Sequence, residues 1–290
     1  MRFGIGAPIV VTPRKPPAWE LEGGIAELSQ IAVAADQLGY DYITCSEHVA
    51  VPASVENARG LIFWDPAALF GYMAAKTERL RFATHVLVLG YHHPLAIAKR
   101  YGTLDAVSGG RLILGVGVGN LKEEFDLLGV PFEDRGERAD EALRALRASL
   151  SQRQPSFHGR YWSYDDMVVL PHAVQPRTPI WVGGTSKRSL RRAVELADGW
   201  TPVFIPHDAL KAMLASFDLP AGFQIILATD AINPRGDPDG ARRAVDALAA
   251  LGATHVTVKL SAGSLAEYLD QMEAFHRMTH MVGWARAKAP

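Results

Sequence analysis

Residues 80–89 read Leu80-Arg81-Phe82-Ala83-Thr84-His85-Val86-Leu87-Val88-Leu89, a connector and a helix-like stretch from Pro94 to Val107 follow, and residues 112–118 read Leu112-Ile113-Leu114-Gly115-Val116-Gly117-Val118. The two end runs are apolar, without the polar alternation of a half-solvated strand, which suits parallel strands covered on both faces. Between them Ile97, Tyr101, Leu104 and Val107 recur at helical spacing and are expected to face inward. His93, before Pro94, is held extended. Strand, helix and strand make one parallel crossover unit.

The same alternation extends in both directions. Upstream, Phe3–Val11 and Tyr42–Cys45 read as strands, and Leu21–Leu38 and Pro66–Lys76 as helices. Gly39 stops the first helix, as glycine does just past a helix end. Downstream come helix Arg135–Leu150, strand Ile180–Val182, helix Ser186–Ala197 and strand Trp200–Phe204. Helix Asp208–Phe217, strand Phe223–Ala228, helix Asp239–Leu251, strand Thr254–Leu260 and helix Leu265–Met278 complete the series. Eight strands alternating with helices predict an α/β fold, and this length favours closure into a (β/α)8 TIM barrel over an open doubly wound sheet. The junction Leu38-Gly39-Tyr40-Asp41 is echoed by Leu251-Gly252-Ala253-Thr254. From Ser151 to Thr178 no barrel unit fits, and an excursion with a small hairpin is expected between the fourth helix and fifth strand. No linker divides the chain, so residues 1–290 are expected to form one domain.

Charge and composition narrow the function. Net charge is −1 over 290 residues with no basic run, which argues against nucleic acid as a partner. No apolar run approaches the roughly 20 residues of a membrane span. The single cysteine, Cys45, excludes a disulfide framework within the chain, and no signal-peptide pattern opens it, so a cytoplasmic location is expected.

Barrel enzymes place their chemistry where strands end. The second strand ends in Ser46-Glu47-His48, a carboxylate beside an imidazole that suits proton transfer. The third ends near His85 and Val86, with Tyr91-His92-His93 just beyond. The fourth ends in Gly115-Val116-Gly117-Val118-Gly119-Asn120, where alternate glycines mark close approach of a ligand or another backbone. The fifth ends in Gly183-Gly184-Thr185-Ser186 and opens a helix bearing Lys187, Arg188, Arg191 and Arg192, an arrangement suited to a phosphate. Ser186 alone reads as an ordinary helix cap. His276 and His280 share a helix face without an accompanying glutamate, and no metal site is expected. There is no nucleophile elbow and no Walker loop. Lys259 lies within the last strand, which disfavours a Schiff-base lyase.

In order along the chain, these segments resemble the bacterial luciferase-like oxidoreductases, and within them the branch that uses the deazaflavin coenzyme F420. The matching blocks are Leu38-Gly39-Tyr40-Asp41 through His48, His93-Pro94 through Lys99, and Leu104-Asp105 with Ser108-Gly109-Gly110-Arg111-Leu112. They continue in Gly115 through Gly119, Glu123-Glu124-Phe125, Leu128-Gly129, Phe157 through Tyr161, Pro179 through Gly184, and Ala197-Asp198-Gly199-Trp200. The resemblance implies a tricyclic ring in the barrel mouth, bounded by His85, Val86, Gly117, Gly119 and Asn120. It implies the coenzyme's phosphate on Gly183, Gly184, Thr185 and Ser186, and a non-proline cis peptide at His85–Val86. It further implies hydride exchange with a small organic substrate, His48 handling a proton and Glu47 aligning it. Sugar-phosphate dehydrogenases of that branch carry Asp where this chain has Glu47, and a catalytic Glu where it has Asn120. The same resemblance admits an FMN-dependent monooxygenase supplied with reduced flavin by a separate reductase, or a non-catalytic flavin-binding barrel. Relatives are often homodimers.

Overall fold

The structure is a computed structural model and describes residues 1–10, 16–55 and 62–280. Its strands are β1 (Arg2–Gly6), β2 (Tyr42–Cys45), β3 (Arg81–Thr84), β4 (Leu87–Val88), β5 (Leu112–Gly117), β6 (Phe157–His158), β7 (Ser163–Tyr164), β8 (Ile180–Gly184), β9 (Gly199–Pro202), β10 (Gln224–Ile232) and β11 (His255–Leu260). Eight of them close a parallel ring in the order β1-β2-β3-β5-β8-β9-β10-β11, with β11 back on β1. Strand β4 resumes the path of β3 after a turn and pairs with the end of β5. Strands β6 and β7 form the separate antiparallel hairpin of the 151–178 excursion.

The helices are α1 (Ala18–Glu22), α2 (Ile25–Leu38), α3 (Pro66–Ala74), α4 (Pro94–Ser108), α5 (Lys122–Leu128), α6 (Arg135–Ser149), α7 (Lys187–Leu196), α8 (His207–Ala215), α9 (Pro238–Ala250) and α10 (Leu265–His280). Among the described residues no helix is long and apolar enough to cross a membrane. Residues expected to form one helix over 21–38 make two, because Gly23 and Gly24 are extended and Glu27 reaches back to the Gly24 amide at 2.8 Å to start α2 afresh. Val107, expected inward, is 66% exposed. The buried positions beyond Leu104 on α4 belong to Asp105 and Ser108. Asp105 is fully buried, and its carboxylate takes the amides of Leu112, Val174 and Gln175, tying the excursion to the barrel.

Inside the ring, Tyr42, Ala83, Ile113, Trp181 and Ile226 pack as one apolar plug. Gly4 leaves room for the Tyr42 ring, whose hydroxyl bonds Thr257 Oγ1 at 2.8 Å. Side chains alternate along a strand, so the pairing fixes which later positions also face inward. Toward the C-terminal ends these are Gly6, Thr44, Gly115, Gly117, Gly183, Thr201 and Lys259. A plug below and small or polar residues above leave the C-terminal mouth open.

The glycines of β5 have a specific steric cause. A Cβ on Gly115 would lie 1.9 Å from the Thr84 carbonyl oxygen, and one on Gly117 would lie 2.7 Å from Val86 Cγ2. They admit the segment from Thr84 to Val88, which leaves the strand path and enters the mouth. Gly115→Ala should therefore lower stability by about 3 kcal/mol or more, since the obstructing atom is backbone and cannot rotate away. Urea denaturation of the variant would check this, and a loss below 0.5 kcal/mol, about the size of a neutral surface change, would contradict the packing.

Candidate active site

Two buried carboxylates organise the mouth. Glu124, in the first turn of α5, is 1% exposed. Its Oε2 meets His48 Nδ1 at 2.6 Å and accepts from the Tyr91 hydroxyl at 2.8 Å. Its Oε1 accepts from the amides of Val49 and Ala50 at 2.7 and 3.2 Å. A carboxylate can only accept, so against Glu124 the shared hydrogen sits on His48 Nδ1, and Nε2 is the ring nitrogen that Glu124 leaves unengaged. The His48 ring also packs edge-on against Phe63, with centroids 4.5 Å apart, and retains 18% side-chain exposure.

Glu47 was expected to align His48 and does not. Consecutive residues at the end of β2 diverge, and Glu47 Oε2 accepts from the Val88 amide while its Oε1 meets His92 Nε2, both at 2.7 Å. Glu47 is thus a strut between the end of β2 and β4 with the segment that follows it. The residue that orients the imidazole, Glu124, carries no distinctive spacing in the sequence. It sits in a seven-residue helix that the apolar pattern does not announce. Of the histidines beyond β3, His92 serves Glu47, whereas His93 caps α4 by accepting from the Leu95 amide at 3.1 Å.

The floor of the mouth is the excursion between β3 and β4. The His85–Val86 peptide is cis, as the resemblance implies. The segment is pinned by the His85 amide on Cys45 O and by Ser46 Oγ donating to His85 O, both at 2.7 Å. Val86 is partly exposed, and its two methyls occupy the space that Cβ atoms on Gly117 and Gly183 would take. The β5 glycines therefore accommodate the chain's own backbone and Val86. Gly117 is buried, and Gly119, at φ +78°, packs on Phe125 and Val88. These glycines, expected to form a wall for a ring, support that wall from behind. Asn120, beyond them, is exposed at the rim. The His85 side chain turns into the barrel, with Nε2 at 2.8 Å from Thr201 Oγ1.

On the opposite side, Gly183 and Gly184 end β8 partly exposed, and Thr185 through Arg188 are exposed. Ser186 is the N-cap of α7, accepting from the Ser189 amide at 3.2 Å, so its side chain is engaged in the helix it starts. The adjoining first-turn amides and the positive helix end, with exposed Lys187 and Arg188, are of a kind that suits an anion. The mouth thus combines an imidazole held by Glu124, a floor of backbone and one valine, and this helix N-terminus.

A luciferase-like monooxygenase family model matches residues 1–221. The chain belongs to that family. An uncharacterised protein of Mycobacterium tuberculosis (strain H37Rv) is 35% identical over 182 residues, 59% of this chain and 62% of its own length. An F420-dependent glucose-6-phosphate dehydrogenase of Nakamurella multipartita is 30% identical over 183 residues, 61% of this chain and 52% of its own. This chain therefore spans less than two thirds of the length of either relative. The solved monooxygenase RslO1 of Streptomyces bottropensis shares the fold with a TM-score of 0.75 at 20% identity, over 98% of this chain and 100% of that one.

Two interior histidines make stability depend on pH. Burial, and then the charge of Lys259, pull the His85 imidazole down from 6.5 to about 4. Burial likewise brings His255 to about 4, where it packs between the Tyr42 and Trp181 rings. An unfolded imidazole takes its proton near 6.5 and the folded ones resist until about 4. Between those values the unfolded state binds more protons, so stability is full above the upper one and falls as pH falls. For His255, 6% exposed, the loss should reach about 3 kcal/mol by pH 4. Guanidinium midpoints for His255→Asn should fall less steeply on acidification than those of the parent, and parallel curves would contradict the assignment.

Proposed function

We propose that the chain is an F420-dependent oxidoreductase exchanging a hydride between the deazaflavin and a small organic substrate in the barrel mouth. The observation that carries this reading is the imidazole of His48 fixed by buried Glu124, with Nε2 left as its proton-handling atom. The relative named as an F420-dependent dehydrogenase supports the cofactor.

The residues present fit such a group. Gly183, Gly184, Thr185 and Ser186 with the first turn of α7 would take its phosphate, and Val86 would support the ring face. When bound, F420 supplies two-electron hydride chemistry. The chain's part is position and the proton. For a substrate carrying H–C–O–H, loss of a hydride from carbon accompanies loss of the hydroxyl proton, and His48 Nε2 accepts that proton. In the opposite direction His48 returns it. Glu124 holds the Nδ1–H tautomer and stabilises the imidazolium, while Tyr91 and the amides of Val49 and Ala50 keep the carboxylate from turning toward substrate. The neutral amide of Asn120, where the resemblance sets a catalytic acid in sugar-phosphate dehydrogenases, counts against a sugar phosphate as the substrate. A flavin store would need no oriented acid–base group.

Fluorescence titration with oxidised F420 and, separately, FMN tests the cofactor. Micromolar binding of F420 with FMN at least tenfold weaker is expected. The reverse preference would overturn the deazaflavin reading in favour of a monooxygenase fed with reduced FMN by a reductase, with oxygen as co-substrate. His48→Ala should lower turnover by about 100-fold or more, with Glu124→Gln lower in the same direction by about tenfold. Turnover within threefold of the parent in His48→Ala would remove His48 from the proton path.

A further inference from the structure

Lys259 is the penultimate residue of β11, and the register sends its side chain inward rather than to the helix layer. A Cβ on Gly6 would lie 3.4 Å from both Lys259 Cγ and Thr257 Cγ2, so the two β11 side chains share one face. Thr257 bonds Tyr42 inside the barrel, which identifies that face as the interior. The aliphatic stem of Lys259 rests on the bare backbone of Gly6, and the residue remains exposed in the mouth. Its place within a strand disfavours a Schiff-base role. The strand delivers it to the opening.

Among the described residues Lys259 takes part in no ion pair within 4.0 Å. Nearby interior groups are the neutral His85, bonded to Thr201, and Thr229, whose Oγ1 accepts from the Lys259 amide at 3.0 Å. Its charge is strong enough at His85 to help hold that ring neutral. A cation at the mouth that forms no ion pair among the described residues adds positive potential to the space above the floor.

We infer that Lys259, flanked by His85 and Thr201, forms an anion subsite on the barrel floor, distinct from the N-terminus of α7, that takes a delocalised oxyanion. This rests on the proposal that the mouth is the reaction site. Two sources share that chemistry: the pyrimidine edge of a reduced ring, where negative charge spreads over a nitrogen and a carbonyl oxygen, and a substrate carboxylate.

Calorimetric titration of the cofactor-free protein with barbiturate and with benzoate separates the sources, using uracil and benzamide as neutral counterparts. The parent should bind at least one anion with millimolar or better affinity and its neutral counterpart at least tenfold more weakly. Lys259→Met, which keeps the stem on Gly6, should lose tenfold or more of the anion's affinity. Lys259→Arg should stay within threefold, and Lys211→Met, on the exposed face of α8, should match the parent. Loss of barbiturate binding alone assigns the site to the ring edge, and loss of benzoate binding alone assigns it to substrate. Equal affinities in the parent and Lys259→Met, or no anion binding by the parent, would overturn the subsite. F420 and FMN titrations of the same samples report separately on the mouth as a cofactor site.

Discussion

A carbonyl oxygen stands where the side chain of residue 115 would begin. The Thr84 oxygen lies 1.9 Å from the place a Cβ on Gly115 would occupy, and Val86 fills the corresponding spaces beside Gly117 and Gly183. Because these positions are bare, the chain after β3 can leave its strand, enter the mouth and return as β4 to pair with β5. That detour sets the floor, turns His85 onto Thr201, and brings the Val88 amide to Glu47 and Tyr91 to Glu124. Remove the room at β5 and the floor, both struts and the orientation of His48 are all displaced together.

The rest of the mouth is built by satisfying buried charge. Each carboxylate is costly away from water unless its acceptor sites are filled. Glu124 meets four donors from two segments, and Glu47 meets two. The bonds of Glu124 hold the end of β2 and the segment after β4 to α5, beside the packing of buried Phe125 on Tyr91. Deeper in the fold Asp36 and Asp105 use the same device, accepting the backbone amides of the segments that follow α3 and of the 151–178 excursion.

The barrel was legible because its signals are local and repeated: apolar strands, helical spacing, and glycines such as Gly39 and Gly109 that take left-handed conformations past helix ends. Closure also followed from the number of units. Much of the site was less legible. The ends of β2, β3, β5 and β8 were correctly taken as one neighbourhood, since strand order in a barrel sets it. The partner of His48 was not, because Glu124 lies 76 residues away and the contact depends on how the β5–α5 turn is aimed. Adjacency in sequence suggested Glu47, yet neighbours on an extended chain face opposite ways. The alternate glycines on β5 signalled a close approach, and only the three-dimensional path shows that the approaching group is the protein itself. Val107 misled for a related reason: helical spacing identifies a face, but a buried aspartate serving the excursion took the inward place.

The four donors around Glu124 have one further consequence. Two are main-chain amides at Val49 and Ala50, where β2 gives way to its loop, and the others come from His48 and Tyr91. The His48–Glu124 pair is thus anchored in the framework of one side of the barrel, while the excursion over 151–178 and the segments after β9 and β10 arise elsewhere. A lineage built on this plan can rewrite those outlying segments without passing through ancestors in which the imidazole has lost its carboxylate partner.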